Sequence, residues 1–133
     1  MTLNSEQRRE LVKLRLDNAR KALDDGNLLF EHSSLRGATN RIYYSMFYAV
    51  SAITIAEGKS FHKHGQLIGY FQKEYVKTRI FERKFGRALQ KAFEDRSEAD
   101  YQDYLHLTRE QVQTRIGEAE EFYSVVKAYL ESA

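Results

Sequence analysis

The chain has 133 residues, 42% of them hydrophobic and 30% charged, with a formal net charge of +2. That length fits one domain, residues 1–133, and is enough to bury a real core. Zero prolines and only seven glycines supply too few turn formers for a sandwich or barrel, and the absence of cysteine excludes disulfides, thiolate zinc sites and a cysteine nucleophile. No apolar run approaches the ~18 residues a membrane span requires. The opening "MTLNSEQRRE" is polar and charged, so it does not read as an export signal, and a cytoplasmic location is expected. Charge is unevenly placed. Residues 59–91 hold nine basic and two acidic side chains, whereas residues 92–133 hold four basic and ten acidic ones. Such a basic segment suits phosphate binding, or the two segments are solvated faces that complement each other within the fold.

Helical spacing dominates the pattern. A first helix is expected from Ser5 to Glu31, with Ser5 as N-cap, a stripe of Leu11, Leu14, Ala19, Ala22 and Leu23, and a bend or break at Gly26. Ser34 is placed to cap a second helix over 35–57. Ile42, Met46, Ala49 and Ile53 form one face of it, flanked by Tyr43, Phe47, Val50 and Thr54. So wide an apolar arc marks a helix packed on several sides, hence the central one. Gly58 suits a C-cap. After a loop, "KSFHKHG", a short helix is expected over 66–75 and a longer one over 80–98, where Phe81, Phe85, Leu89 and Phe93 recur at four-residue steps. "ADYQDYLHL" reads as irregular. Thr108 opens the last helix with Gln111 as capping-box partner, and Val112, Ile116, Ala119, Phe122, Val126 and Leu130 form its stripe. The expected fold is all-α, an antiparallel up-and-down bundle of four main helices plus one short helix.

Few residues point to chemistry. His62 and His64 lie two apart without a nearby carboxylate, a poor zinc pattern, so no metal or other cofactor is expected. His64 stands where it can cap the short helix. "GKS" at 58–60 lacks the strand and the upstream glycine of a phosphate loop, since Ile53 occupies that position. On the second helix Asn40, Tyr44 and Tyr48 are four apart with Arg41 alongside. This polar stripe is either a hydrogen-bonded belt between helices or one wall of a pocket, and Arg41 is expected to pair with Glu98 or Asp100. In "EDRSEADYQDY" (94–104), Arg96 ends a helix whose exposed face carries Lys77, Arg79, Arg83, Lys84, Arg87 and Lys91. A helix C-terminus favours a cation. A guanidinium also grips phosphate with its planar fork, and Tyr101 can stack on a base or donate a hydrogen bond.

"NRIYYSMFYAV" (40–50), "HG" (64–65), "FQKEYVKT" (71–78) and "AFEDRSEADY" (92–101) together resemble the HEPN domain family, in its branch of small stand-alone prokaryotic proteins. The resemblance runs over about residues 10–131. It implies a bundle of four main helices plus a short one, and homodimers whose conserved segments meet at a shared cleft. It also implies a functional link to RNA. Many members are metal-independent ribonucleases, frequently toxins encoded beside a minimal nucleotidyltransferase that acts as antitoxin. The family's catalytic motif is Arg, four residues, then His. Arg96 matches the arginine, and Tyr101 stands where the histidine would be. A phenol with a pKa of ~10 is a poor base at neutral pH, whereas histidine is suited to taking the proton of a 2′-hydroxyl. The candidates to supply one are His106, ten residues past Arg96, through a fold-back, and His64, from another loop or from the other subunit.

In some members the partner attaches AMP to a tyrosine two residues after that histidine. The equivalent position here is Asp103, with Tyr104 next to it. The expectation is therefore a dimeric RNA- or nucleotide-binding module working with a nucleotidyltransferase partner. Arg96 and Tyr101 stand at its catalytic position, and Arg41, Asn40, Tyr44, Asp100 and Tyr104 serve binding. The alternative is a metal-independent endoribonuclease toxin.

Overall fold

The computed structural model describes residues 2–101 and 107–132, with the backbone alone for residues 99–101. Five α-helices follow in order, α1 (Ser5–Glu31), α2 (Leu35–Ala56), α3 (His64–Phe71), α4 (Arg83–Tyr101) and α5 (Arg109–Ser132). A π-helical turn (Gln72–Val76) continues α3. Among the described residues there is no strand, and the expected all-α bundle is the observed fold.

The α2 helix is the centre, packing against α1, α3, α4 and α5. Its wide apolar arc is the cause: Ile42, Tyr43, Met46, Ala49, Val50 and Ile53 are each at most 1% exposed. The neighbouring α1 presents small residues to it, Ala19, Ala22, Leu23 and Gly26, which lets the two backbones come close. The Ser45 hydroxyl then donates to the Ala19 carbonyl at 2.8 Å. Gly26 does not break α1; its α-carbon faces Arg41 Cβ, Ile42 and the Ala38 carbonyl across the helix contact. Leu14, expected in the buried stripe, is 50% exposed, because α1 meets its neighbours mainly through its second half.

Helix ends follow local chemistry. The N-cap of α1 is Asn4, not Ser5: Gln7 N–H donates to Asn4 Oδ1 at 2.8 Å and Asn4 N–H donates to Gln7 Oε1 at 3.0 Å. Asn4 has a glutamine three residues on to complete a capping box, whereas Ser5 has Arg8, which holds no acceptor. Ser34 occupies the N-cap of α2 but makes no side-chain capping bond. Gly58 ends α2 as expected, at φ +86°, with its N–H on Ile55 O and that of Lys59 on Thr54 O. The Thr108–Gln111 box forms in both directions, at 3.0 and 3.1 Å.

The short helix departs from expectation. It starts at His64, and its second half is the π turn. Gly86 accounts for the tight packing there, since a Cβ at that position would lie 2.4 Å from Gln72 Oε1 and 3.0 Å from Val76 Cγ1. The Gln72 amide donates to the Gly86 carbonyl at 2.8 Å. Phe81 and Phe85 are both buried, yet α4 begins only at Arg83. At its other end α4 continues to Tyr101, so Arg96 lies inside the helix and not at its close, and residues 99–101 are helical where an irregular segment was expected. The rest of the expected irregular stretch, up to residue 106, lies outside the described residues. Two ion-pair clusters fix α5 in place. Arg115 Nε meets Asp95 at 2.7 Å, and Arg20 bridges Asp24 and Glu120. Lys84 of the basic segment meets Glu121 of the acidic one at 2.9 Å, so part of that charge contrast is spent inside the fold.

Candidate functional site

The Arg96 side chain leaves α4 towards α2. Its guanidinium carbon lies 5.6 Å from the centre of the Tyr43 ring and 5.4 Å from that of Tyr44, within cation–π range. Its Nη2 donates to the Tyr44 hydroxyl at 3.2 Å. Arg41, one turn back on α2, brings a second guanidinium to 5.7 Å from the Tyr44 ring. One half-buried phenol thus carries two arginines. No ion pair joins Arg41 to Glu98 among the described residues; its contact is the ring. Asn40 lies half-buried one turn before Tyr44.

His64 completes the cluster. Because α3 begins at this residue, its ring is turned back onto α2, where it stacks on Phe47 with centroids 4.3 Å apart and lies 5.8 Å from both Tyr43 and Tyr44. Its Nδ1 is 2.9 Å from the Tyr43 hydroxyl, which leaves Nε2 as its other ring nitrogen. Burial lowers the pKa of His64, and the nearby Arg96 charge lowers it further, so the imidazole is neutral at pH 7. Burial also raises the Tyr43 pKa, against a smaller lowering by Arg96, so this phenol keeps its proton. Arginine, neutral histidine and a protonated phenol on one aromatic platform are the elements of an anion site that can also move a proton.

The structure therefore brings Arg96, Arg41 and Tyr44 together and adds His64, Tyr43 and Phe47. Asp100, Tyr101, Tyr104 and His106 have their side chains outside the described residues. Sequence reading assigned Tyr43 and Phe47 to the core flank and left His64 between capping a helix and approaching Arg96. Helical spacing orders residues along one element, and the meeting of α3's first residue with the middle of α2 is a tertiary fact. Among the described residues no three His, Asp or Glu side chains gather as metal ligands would, and no helix is long and apolar enough to cross a membrane.

The fold defines the class as an all-α helical bundle. Comparison with known proteins makes the class specific: the HEPN domain family matches residues 12–129, and the chain belongs to that family. A UPF0332 protein of Thermotoga maritima is 34% identical over 94% of this chain and 95% of its own length. Two proteins of Methanocaldococcus jannaschii, each carrying the name "putative toxin", are 30% identical to it. One alignment covers 92% of this chain and 83% of the relative, the other 96% and 94%.

Proposed function

We propose that this HEPN protein is a homodimeric RNA- or nucleotide-binding module that works with a nucleotidyltransferase partner as one half of a toxin–antitoxin pair. One observation carries the reading: Arg41 and Arg96 converge on the single ring of Tyr44. An anion that reaches this ring meets both guanidiniums. Phosphate fits the planar guanidinium fork, and the half-buried rings beside it offer surfaces on which a base stacks. The toxin names of the two archaeal relatives support the pairing with a neutralising partner. Asp100, Tyr101 and Tyr104 keep their proposed binding or catalytic places beside Arg96 in sequence.

A second reading is favoured by His64. With Nδ1–H donating to the Tyr43 oxygen, Nε2 carries a lone pair beside the arginine site. It then takes the proton of an RNA 2′-hydroxyl while the O2′–P bond forms and the P–O5′ bond breaks, and water supplies the proton to the departing 5′-oxygen. Arg96 balances the charge that builds on the phosphorus oxygens. In this reading the chain is a metal-independent endoribonuclease, and His64 supplies the base that Tyr101 makes poorly.

The deciding experiment measures binding and cleavage of a fluorescent RNA by wild type, Arg96→Ala, His64→Ala and Tyr101→His, beside light scattering for the dimer. Binding without cleavage, weakened in Arg96→Ala, supports the first reading, and a gain of cleavage in Tyr101→His strengthens it. Cleavage lost in both Arg96→Ala and His64→Ala supports the second. An RNA affinity indifferent to Arg96, or a stable monomer at micromolar concentration, overturns the dimeric RNA module.

A further inference from the structure

The arginine site does not end at Tyr44. Along α2 the residues Arg41, Tyr44, Tyr48, Ser51 and Ile55 recur at steps of three and four, which is one helix face. Its first four members are half-buried and not sealed in the core. The Tyr44 and Tyr48 ring centroids are 5.9 Å apart. Beyond Tyr48 this face becomes one wall of a cleft of about 630 Å³. The opposite wall is α1, which presents Arg8, Leu11, Arg15 and Asn18, again at helical steps. The loop at 58–61, which holds the "GKS" tripeptide, closes the far end with Lys59 and Phe61.

Three properties of this cleft go together. Among the described residues its charged lining is Arg8, Arg15 and Lys59, with no carboxylate. Lys59 also lies over the Tyr70 ring at 5.0 Å and 3.9 Å from Glu57, so the two arginines carry most of the available charge. The half-buried rings of Phe47, Tyr48 and Phe61 line it. The two helices are antiparallel, as the Ser45–Ala19 bond and the approach of Arg8 to Gly58 show. From Asn18, beside Tyr48, to Arg8, beside Gly58, the wall is therefore ~15 Å long at the rise of an α-helix. Cations along a groove with aromatic rings between them are how proteins track a flexible single strand.

We infer that the face shared by α1 and α2 is a track for single-stranded RNA. One phosphate sits at Arg96 and Arg41, the strand runs on past Tyr48, and the following phosphates reach Arg15 and then Arg8. This rests on the RNA reading of the Arg96 site and adds to it a substrate class, an extended single strand of several nucleotides, in place of a mononucleotide or a duplex. A duplex is too wide and stiff to lay its bases on rings set between two helices, and a mononucleotide reaches only one end of the track.

The test is fluorescence anisotropy with labelled oligouridylates of two and eight nucleotides, on wild type, on the double variant Arg8→Ala/Arg15→Ala and on Arg96→Ala. Circular dichroism and light scattering are run on each. Wild type should bind the eight-mer at least tenfold more tightly than the two-mer. The double variant should lose most of that gain while keeping its affinity for the two-mer. Its log–log salt slope for the eight-mer should flatten by about 1.4, the value for two lost phosphate contacts on a single strand. Arg96→Ala should weaken both ligands. Equal affinity for both lengths, or a double variant that binds the eight-mer as wild type does, overturns the track while the Arg96 site stands. Failure of wild type to bind either length overturns the track and the RNA reading together. A change of oligomeric state in the double variant with unchanged RNA affinity assigns the face to a second copy of the chain and overturns the track.

Discussion

Asp95 and Arg96 are neighbours on α4, yet they serve opposite ends. Asp95 turns to α5 and accepts from Arg115 at 2.7 Å, both side chains being 23% exposed, and Glu118 takes a second N–H of the same arginine at 3.1 Å. The positive charge of Arg115 is matched within hydrogen-bond range by two carboxylates. Arg96 turns to α2, where it meets two phenol rings, one phenol oxygen and the field of a neutral histidine. Two rings and one hydroxyl hold that guanidinium at the face of α2. The contrast separates an arginine that ties α4 to α5 from one that packs on the aromatic face of α2, where we propose that it meets an anion.

Several measurements would break or sharpen that contrast. The largest effect is expected from Arg96→Ala, which should weaken RNA binding roughly tenfold to a hundredfold, the range for losing a hydrogen bond to a charged group. Arg115→Ala should leave that affinity alone; a comparable loss of binding in Arg115→Ala would erase the distinction. What Arg115→Ala should lower is stability, by about 2 kcal/mol in urea titration, because Asp95 is left partly buried without its partner. His64→Gln then tests the electrostatics of the site. The folded pKa of His64 is depressed, so the unfolded chain binds the extra proton first. Wild-type stability should be full above the unfolded value of 6.5 and decline as pH falls below it. The glutamine variant should lack that decline and keep the later one below about 4.5, where Glu57, held low by the hydroxyls of Tyr70 and Tyr75, takes its proton. Acid curves of wild type and variant that superimpose would show that His64 is not buried as described. The smallest effect belongs to Tyr44→Phe, which keeps the ring under both arginines and removes one neutral acceptor from Arg96. A loss of only a few-fold in RNA affinity is expected, against a much larger one for Tyr44→Ala.

Much of the architecture was legible because it depends on short-range chemistry. The apolar arc of α2, the glycine that ends it and the Thr108–Gln111 box are patterns over three to eight residues, and each formed as read. The errors have local and long-range origins. Ser5 lost the cap to Asn4 because only Asn4 has an acceptor three residues on. Leu14 is exposed because its stripe outruns the neighbour it would pack on. The π turn at Gln72–Val76 depends on Gly86, fourteen residues away from Gln72, and nothing in "QKEYV" announces it.

The site divides in the same way. Arg96, Arg41 and Tyr44 could be singled out from sequence, since a cation or polar group on an apolar helix face has to find a partner. That both arginines meet one phenol ring, and that His64 stacks on Phe47 and meets Tyr43 beside them, required three segments, α2, α3 and α4, to converge. The sequence by itself determined an all-α bundle, its central helix and an arginine-centred candidate site, because periodicity, caps and composition are local. Only the tertiary structure decided which arginine pairs with Asp95 and Glu118 and which meets the rings of Tyr43 and Tyr44, and that His64 lies beside the latter. Those outcomes depend on side chains from distant segments meeting at hydrogen-bond and stacking distances, which the crossing of α2 with α3 and α4 sets and spacing along the chain does not.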